Sequence, residues 1–130
     1  MARRASEHPT ELELQILKVL WREGPLAVRE VREHLASGPA GRELAHSSVI
    51  TILNIMVRKK YLRRRKQGRA YVFRPQITEE TVTQGMLHDL VDRVFDGSAA
   101  NAMVRLLETS DVDHHELKEL RRLIDRADQG

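Results

Sequence analysis

AHSSVITILNIMVRKKYLRRRKQGRAYVFRP, residues 45–75, changes its hydrophobic period halfway along. Its first part, residues 46–59, carries Val49, Ile52, Leu53, Met56 and Val57 at i, i+3, i+4, i+7 and i+8, the spacing of a helix with one apolar stripe. After Tyr61 the period shortens. Residues 62–66 and 70–73 read as two strands around a turn at Gln67-Gly68-Arg69, and Pro75 closes the unit. The helix opens on small polar residues and ends in cations, and the hairpin that follows is densely basic.

Working outward, Thr10-Glu11-Leu12-Glu13 has the form of a capping box, in which the Thr10 hydroxyl accepts from the Glu13 amide and the Glu13 carboxylate reaches back. Leu12, Ile16, Val19 and Leu20 follow at helical spacing until Gly24-Pro25 stops the helix. A second, shorter helix places Val28, Val31 and Leu35 on one face and ends near Ser37-Gly38-Pro39. Three helices and a basic hairpin within 75 residues have the outline of a winged helix-turn-helix. The fold class expected is mainly α with a small β-hairpin: a winged-helix domain over residues 1–75 and a helical domain over residues 76–130.

The charge distribution divides at the same place. Residues 1–75 hold 16 Lys/Arg against 7 Asp/Glu, a net of +9, whereas residues 76–130 hold 6 against 12, a net of −6. A basic half suits a polyanion and an acidic half suits another task. In the acidic half, Thr78 can cap a helix whose Val82, Met86, Leu90 and Val94 lie four apart. Asp96-Gly97-Ser98 breaks it. A further helix carries Met103, Leu106 and Leu107, and Asp113 with Glu116 caps a last one with Leu117, Leu120, Leu123 and Ile124. Three short helices bury too little surface alone, so these apolar stripes are expected to form a dimerisation element.

Within the reading helix, Ser47, Ser48, Ile50, Thr51 and Asn54 form a largely uncharged front. Their short side chains let the backbone approach a groove floor. Asn54 is suited to bidentate pairing with adenine, and Ile50 to a thymine methyl. Arg58, Lys59, Arg63 and Arg69 are the candidate phosphate contacts, with Arg69 at the wing tip. Because side chains alternate along a strand, only part of Arg63-Arg64-Arg65-Lys66 can face DNA.

Other functions find little support. The chain has no cysteine, so disulfides and thiolate metal sites are excluded and a cytoplasmic location is expected. Six histidines include His88 four residues from Asp92 and the adjacent pair His114 and His115, which diverge by about 100° on a helix. No metal and no cofactor are expected. Neither a phosphate-binding glycine loop nor a nucleophile motif occurs, so the chain does not read as an enzyme. There is no apolar run of roughly 18 residues and no secretory signal, so no membrane insertion is expected.

The segments TELELQILKVLW, GPLAVREVREHL, SSVITILNIMVRKKYL, GRAYVFRP and HHELKELRRLIDR, in this order and spacing, resemble the penicillinase-repressor family, the BlaI/MecI type with copper-responsive CopY relatives. The resemblance spans nearly the whole chain. It implies a winged-helix domain, a helical dimerisation domain and repression by a homodimer on palindromic operators, with β-lactam resistance or related stress genes as targets. Its reading helix corresponds to residues 47–59 and its wing to Gln67, Gly68, Arg69, Ala70 and Tyr71. Three positions depart from the family pattern. Ile55 stands where arginine is usual, and Lys60 where glycine usually ends the helix. Family members answering to a membrane sensor metalloprotease pathway are cleaved at an Asn-Phe bond. The aligned pair here is Arg105-Leu106, the candidate cleavage position. The cysteine cluster of the copper-responsive relatives is missing. A winged-helix module that docks a protein instead of DNA is the alternative reading.

Overall fold

The computed structural model describes residues 8–130. Helix α1 (Glu11–Glu23) begins with the expected capping box. The Thr10 hydroxyl accepts from the Glu13 amide at 3.2 Å, and the Thr10 amide donates to Glu13 Oε1 at 2.8 Å. Gly24 ends the helix at φ 89°, a left-handed conformation in which a side chain would be strained. At this end the Glu23 carboxyl is held below its ordinary range, chiefly by the hydrogen bond from Arg22.

Two residues then form strand β1 (Leu26–Ala27), which leads directly into α2 (Val28–Ser37). Glu30 accepts from the Ala27 amide at 3.0 Å, satisfying one of the donors that a helix start leaves open. The loop before α3 (His46–Arg58) is fastened by Arg32, whose Nε donates to the Leu44 carbonyl at 2.8 Å. Strands β2 (Leu62–Gln67) and β3 (Ala70–Pro75) follow as an antiparallel hairpin, with Arg64 opposite Phe73 and Lys66 opposite Tyr71.

The sheet has three strands, in the order β1-β3-β2, rather than the hairpin alone that the sequence led us to expect. Leu26 pairs with Phe73 and Ala27 with Val72. A strand of two residues has no alternation to read, which is why it escapes a periodicity argument. Its effect is to hold the base of the wing against the start of α2.

One core joins these elements. Ile16, Leu17 and Leu20 from α1, Val31 and Leu35 from α2, Val49, Leu53 and Met56 from α3, and Leu26, Leu62 and Phe73 from the sheet are all buried together. The three α3 residues are fully shielded, so the angle of that helix is set by packing on its back face. Ile52 and Val57 pack on the same core from its margin. Past the wing, the Trp21 indole donates to the Ile77 carbonyl at 3.0 Å and ties the exit strand to α1.

Thr78 starts α4 (Glu79–Val94), its hydroxyl accepting from the Thr81 amide at 3.1 Å. The turn at Asp96-Gly97 has φ of 51° and 84°. Ser98 caps α5 (Ala99–Thr109), and Asp113 caps α6 (His114–Gln129). The chain separates into two compact units between Leu87 and His88, inside α4. No helix among the described residues is long and apolar enough to cross a membrane.

Candidate nucleic-acid interface

Burial of Val49, Leu53 and Met56 turns the opposite side of α3 outward. Ser47, Ser48, Thr51 and Arg58 are exposed there, while Ile50 and Asn54 are half-buried at the edge nearer the wing. Neither serine caps the helix. The N-cap is Ala45, which makes no side-chain hydrogen bond, so both serines lie on the first turn with their side chains in solvent. Thr51 donates back to the Ser47 carbonyl at 2.9 Å and so presents its hydroxyl oxygen outward as an acceptor.

His46, Ile50 and Asn54, four apart on α3, line one wall of a cleft of about 450 Å³. The wing supplies the other wall with Arg64, Arg69 and Tyr71, and Arg29 of α2 stands at its end. Among the described residues this is where reading-helix side chains and wing cations converge. Its floor is apolar and its rim is cationic.

Strand alternation decides which wing cations belong to it. Leu62 and Phe73 face the core, and Arg64 lies opposite Phe73, so Arg64 shares the helix-facing side. Arg63 therefore projects from the other face. Expected as a phosphate contact, it lies on the face away from α3, and Arg64 is the member of the run that stands beside that helix. Arg64 was missed because a run of four cations does not itself reveal which members face the helix.

The Arg64 guanidinium makes two contacts. Its Nη1 donates to Asn54 Oδ1 at 2.7 Å, and its central carbon lies 4.7 Å from the centroid of the Tyr71 ring. Such stacking on an aromatic face orients the planar cation as well as attracting it. The amide oxygen that Asn54 needs to accept from adenine thus already has a strong donor on it.

Lys59 has a partner within the chain. Its Nζ sits 2.8 Å from Glu13 Oε2 on α1, while Glu13 is only 4% exposed. The ammonium also lies 5.8 Å from the Tyr61 ring centroid. Lys59 is thus paired with a buried carboxylate, while 42% of its side chain stays in solvent. Lys60, next in the chain, adopts φ 67°. The left-handed ending usual for glycine is kept here by a lysine.

On the acidic half, Val82 is corrected as well: at 6% exposure it is buried within the single chain, so it is not part of an open pairing surface. Met86 is half-buried. Leu90, Val94, Met103, Leu106, Leu107, Leu117, Leu120 and Ile124 are all largely exposed, together with Leu87, Val104 and Leu123. Neither α5 nor α6 buries any residue. Between these two helices runs an apolar trough floored by Met103, Leu107, Leu117 and Leu120. Arg105 and Leu106 lie in the middle of α5, so their peptide bond is inside regular helix. His88 contacts Asp92 at 3.3 Å as an exposed helical pair. No metal-binding group of three or more His, Cys, Asp or Glu is found among the described residues.

The family model described as "Penicillinase repressor" matches residues 9–126. The chain is 23% identical over 116 residues to the penicillinase repressor of Bacillus licheniformis, covering 89% of this chain and 88% of that one. To the transcriptional regulator BlaI of Mycobacterium tuberculosis it is 30% identical over 122 residues, covering 92% and 85%. Among solved structures it is similar to the DNA-binding domain of the repressor BlaI, at 25% identity and a TM-score of 0.48, covering 59% of this chain and 90% of that one. With nearly all of its length inside the family match, the chain belongs to the penicillinase repressor family.

Proposed function

We propose that this chain is a cytoplasmic homodimeric transcriptional repressor that binds a palindromic operator. Residues 1–75 would read DNA and residues 76–130 would pair the two copies. The observation that carries the reading is the surface of α3: a polar front with its back sealed in the core, beside a wing that turns Arg64 and Arg69 to the same side. In such a domain the helix enters the major groove and the wing follows the backbone, with half-sites about 34 Å apart or a multiple of it.

Pairing is supported by the large apolar side chains that α4, α5 and α6 leave in water, since exposed apolar surface of this kind marks sites of association. The names of the two relatives support control of β-lactam resistance or related stress genes. A membrane sensor metalloprotease pathway is the route of induction of some family members, and in this chain it would meet Arg105-Leu106 in place of their Asn-Phe bond.

The test is a gel shift on the promoter of the chain's own and neighbouring genes, in graded salt, against an unrelated duplex. Sub-micromolar, sequence-selective binding is expected. Equal affinity for both duplexes would sink the repressor reading and favour the protein-docking alternative.

A further inference from the structure

We infer that Arg64 is a specificity-determining residue: by occupying the Asn54 amide oxygen it converts Asn54 into a donor, so that the pair selects guanine rather than adenine. The inference rests on the operator-binding reading and goes past it to the base chosen.

The argument begins with hydrogen-bond inventory. Asparagine reads adenine by accepting from N6 and donating to N7 at once. Here Oδ1 accepts from Arg64 Nη1 at 2.7 Å, a short, charge-assisted bond. The assignment of the amide is forced by chemistry, because a guanidinium has donors only and the oxygen must therefore face it. The Asn54 nitrogen, with its two hydrogens, is left directed away from Arg64.

Tyr71 gives this arrangement a second contact. The central carbon of the Arg64 guanidinium lies 4.7 Å from the ring centroid, so moving Arg64 away from Asn54 would also give up this cation–π contact. Register supports it again, since Tyr71 and Arg64 lie on the same side of the hairpin that Phe73 anchors in the core. What meets the groove at this place is thus the Asn54 amide nitrogen beside further N–H groups of Arg64. An adenine N6 amino group brought here would set donor against donor. Guanine offers the acceptors N7 and O6 on the same edge, which both partners can satisfy.

The test is selection of binding sites from a randomised duplex library by the full-length protein and by Asn54→Ala, Arg64→Met and Arg64→Lys. Asn54→Ala identifies the operator position concerned as the one whose preference it relaxes. We expect guanine there in the wild-type selection. Arg64→Met should lower the preference for guanine at that one position by about tenfold, leaving the rest of the motif intact. Arg64→Lys keeps the charge without the planar fork, so it should retain more overall affinity than Arg64→Met while losing the same preference.

An adenine at that position in wild type would overturn the proposal. So would an Arg64→Met motif identical to wild type with affinity uniformly lower, because that is the behaviour of a phosphate contact. If no motif is selected by the wild type, the operator-binding reading itself fails. Thermal unfolding of each variant guards against misfolding, and Arg64 is exposed on the surface.

Discussion

Lys59 Nζ and Glu13 Oε2 meet at 2.8 Å across 46 residues of sequence, and the contact joins the end of the reading helix to the start of α1. Glu13 is also the partner of the Thr10 amide, so one carboxylate serves the helix cap and the interhelical pair together. Removing the ammonium leaves a buried charge short of its partner, which is costlier than losing an exposed pair. Because Lys59 keeps 42% of its side chain in solvent, water recovers part of the loss. Lys59→Met should lower stability by about 1–3 kcal/mol in urea unfolding. The salt dependence of DNA binding should stay as in wild type, and a reduced slope would return Lys59 to the phosphate contacts.

The two faces of the wing should separate in the same salt titration. Arg69→Ala removes a cation on the α3 side, and the slope of log affinity against log salt should fall by about 1. Arg63→Ala removes one from the far side, and its slope should match wild type. Equal losses for both would show that DNA is contacted from both faces of the wing.

At Lys60 the backbone holds a lysine at φ 67°. The left-handed region costs a side chain-bearing residue about 1–2 kcal/mol, and glycine gives some of that back through its freer unfolded chain. Lys60→Gly should therefore stabilise by about 0.5 kcal/mol, and the β-branched Lys60→Val should destabilise by about 1 kcal/mol or more. Thermal unfolding of the pair checks this; a glycine variant less stable than wild type would show that the lysine side chain holds this turn by contacts of its own.

Thr51 presents its hydroxyl oxygen from the exposed front of α3. Thr51→Ala should cost about 1–3 kcal/mol of discrimination for the cognate operator, with little change on unrelated DNA. Competition gel shifts distinguish the two, and unaltered discrimination would remove Thr51 from the reading surface.

For the acidic half, Leu120→Glu places a charge in the trough between α5 and α6. Sedimentation equilibrium should show the wild type as a dimer and this variant as a monomer whose operator affinity drops with it. A variant that stays dimeric would move the pairing surface elsewhere.

Sequence periodicity located what repeats locally. Val49, Leu53 and Met56 are the buried back of α3, as their spacing implies, and the change of period after Tyr61 marks the hairpin. The caps at Thr10, Thr78 and Asp113 are short-range pairs of side chain and backbone, visible in a four-residue window, whereas Ser98 reads there only as part of a helix break. What was not legible depends on partners far apart in the chain. Glu13 looks like an ordinary capping residue until α3 brings Lys59 to it. Val82 belongs to an exposed stripe by spacing, yet it is buried because α4 begins inside the first compact unit. The choice of Arg64 over Arg63 needed the pairing with Phe73, and no count of cations supplies a register.

A last consequence concerns α5 and α6, which bury no residue of their own. With pairing as proposed, these helices find their core only in company, and dilution acts on them as a denaturant does. Stability there is set by the number of copies in solution, through mass action. Halving the amount of chain would more than halve the assembled form once most copies are single. Occupancy of the operator would then follow the cell's stock of this protein more steeply than in proportion, before any inducer has acted.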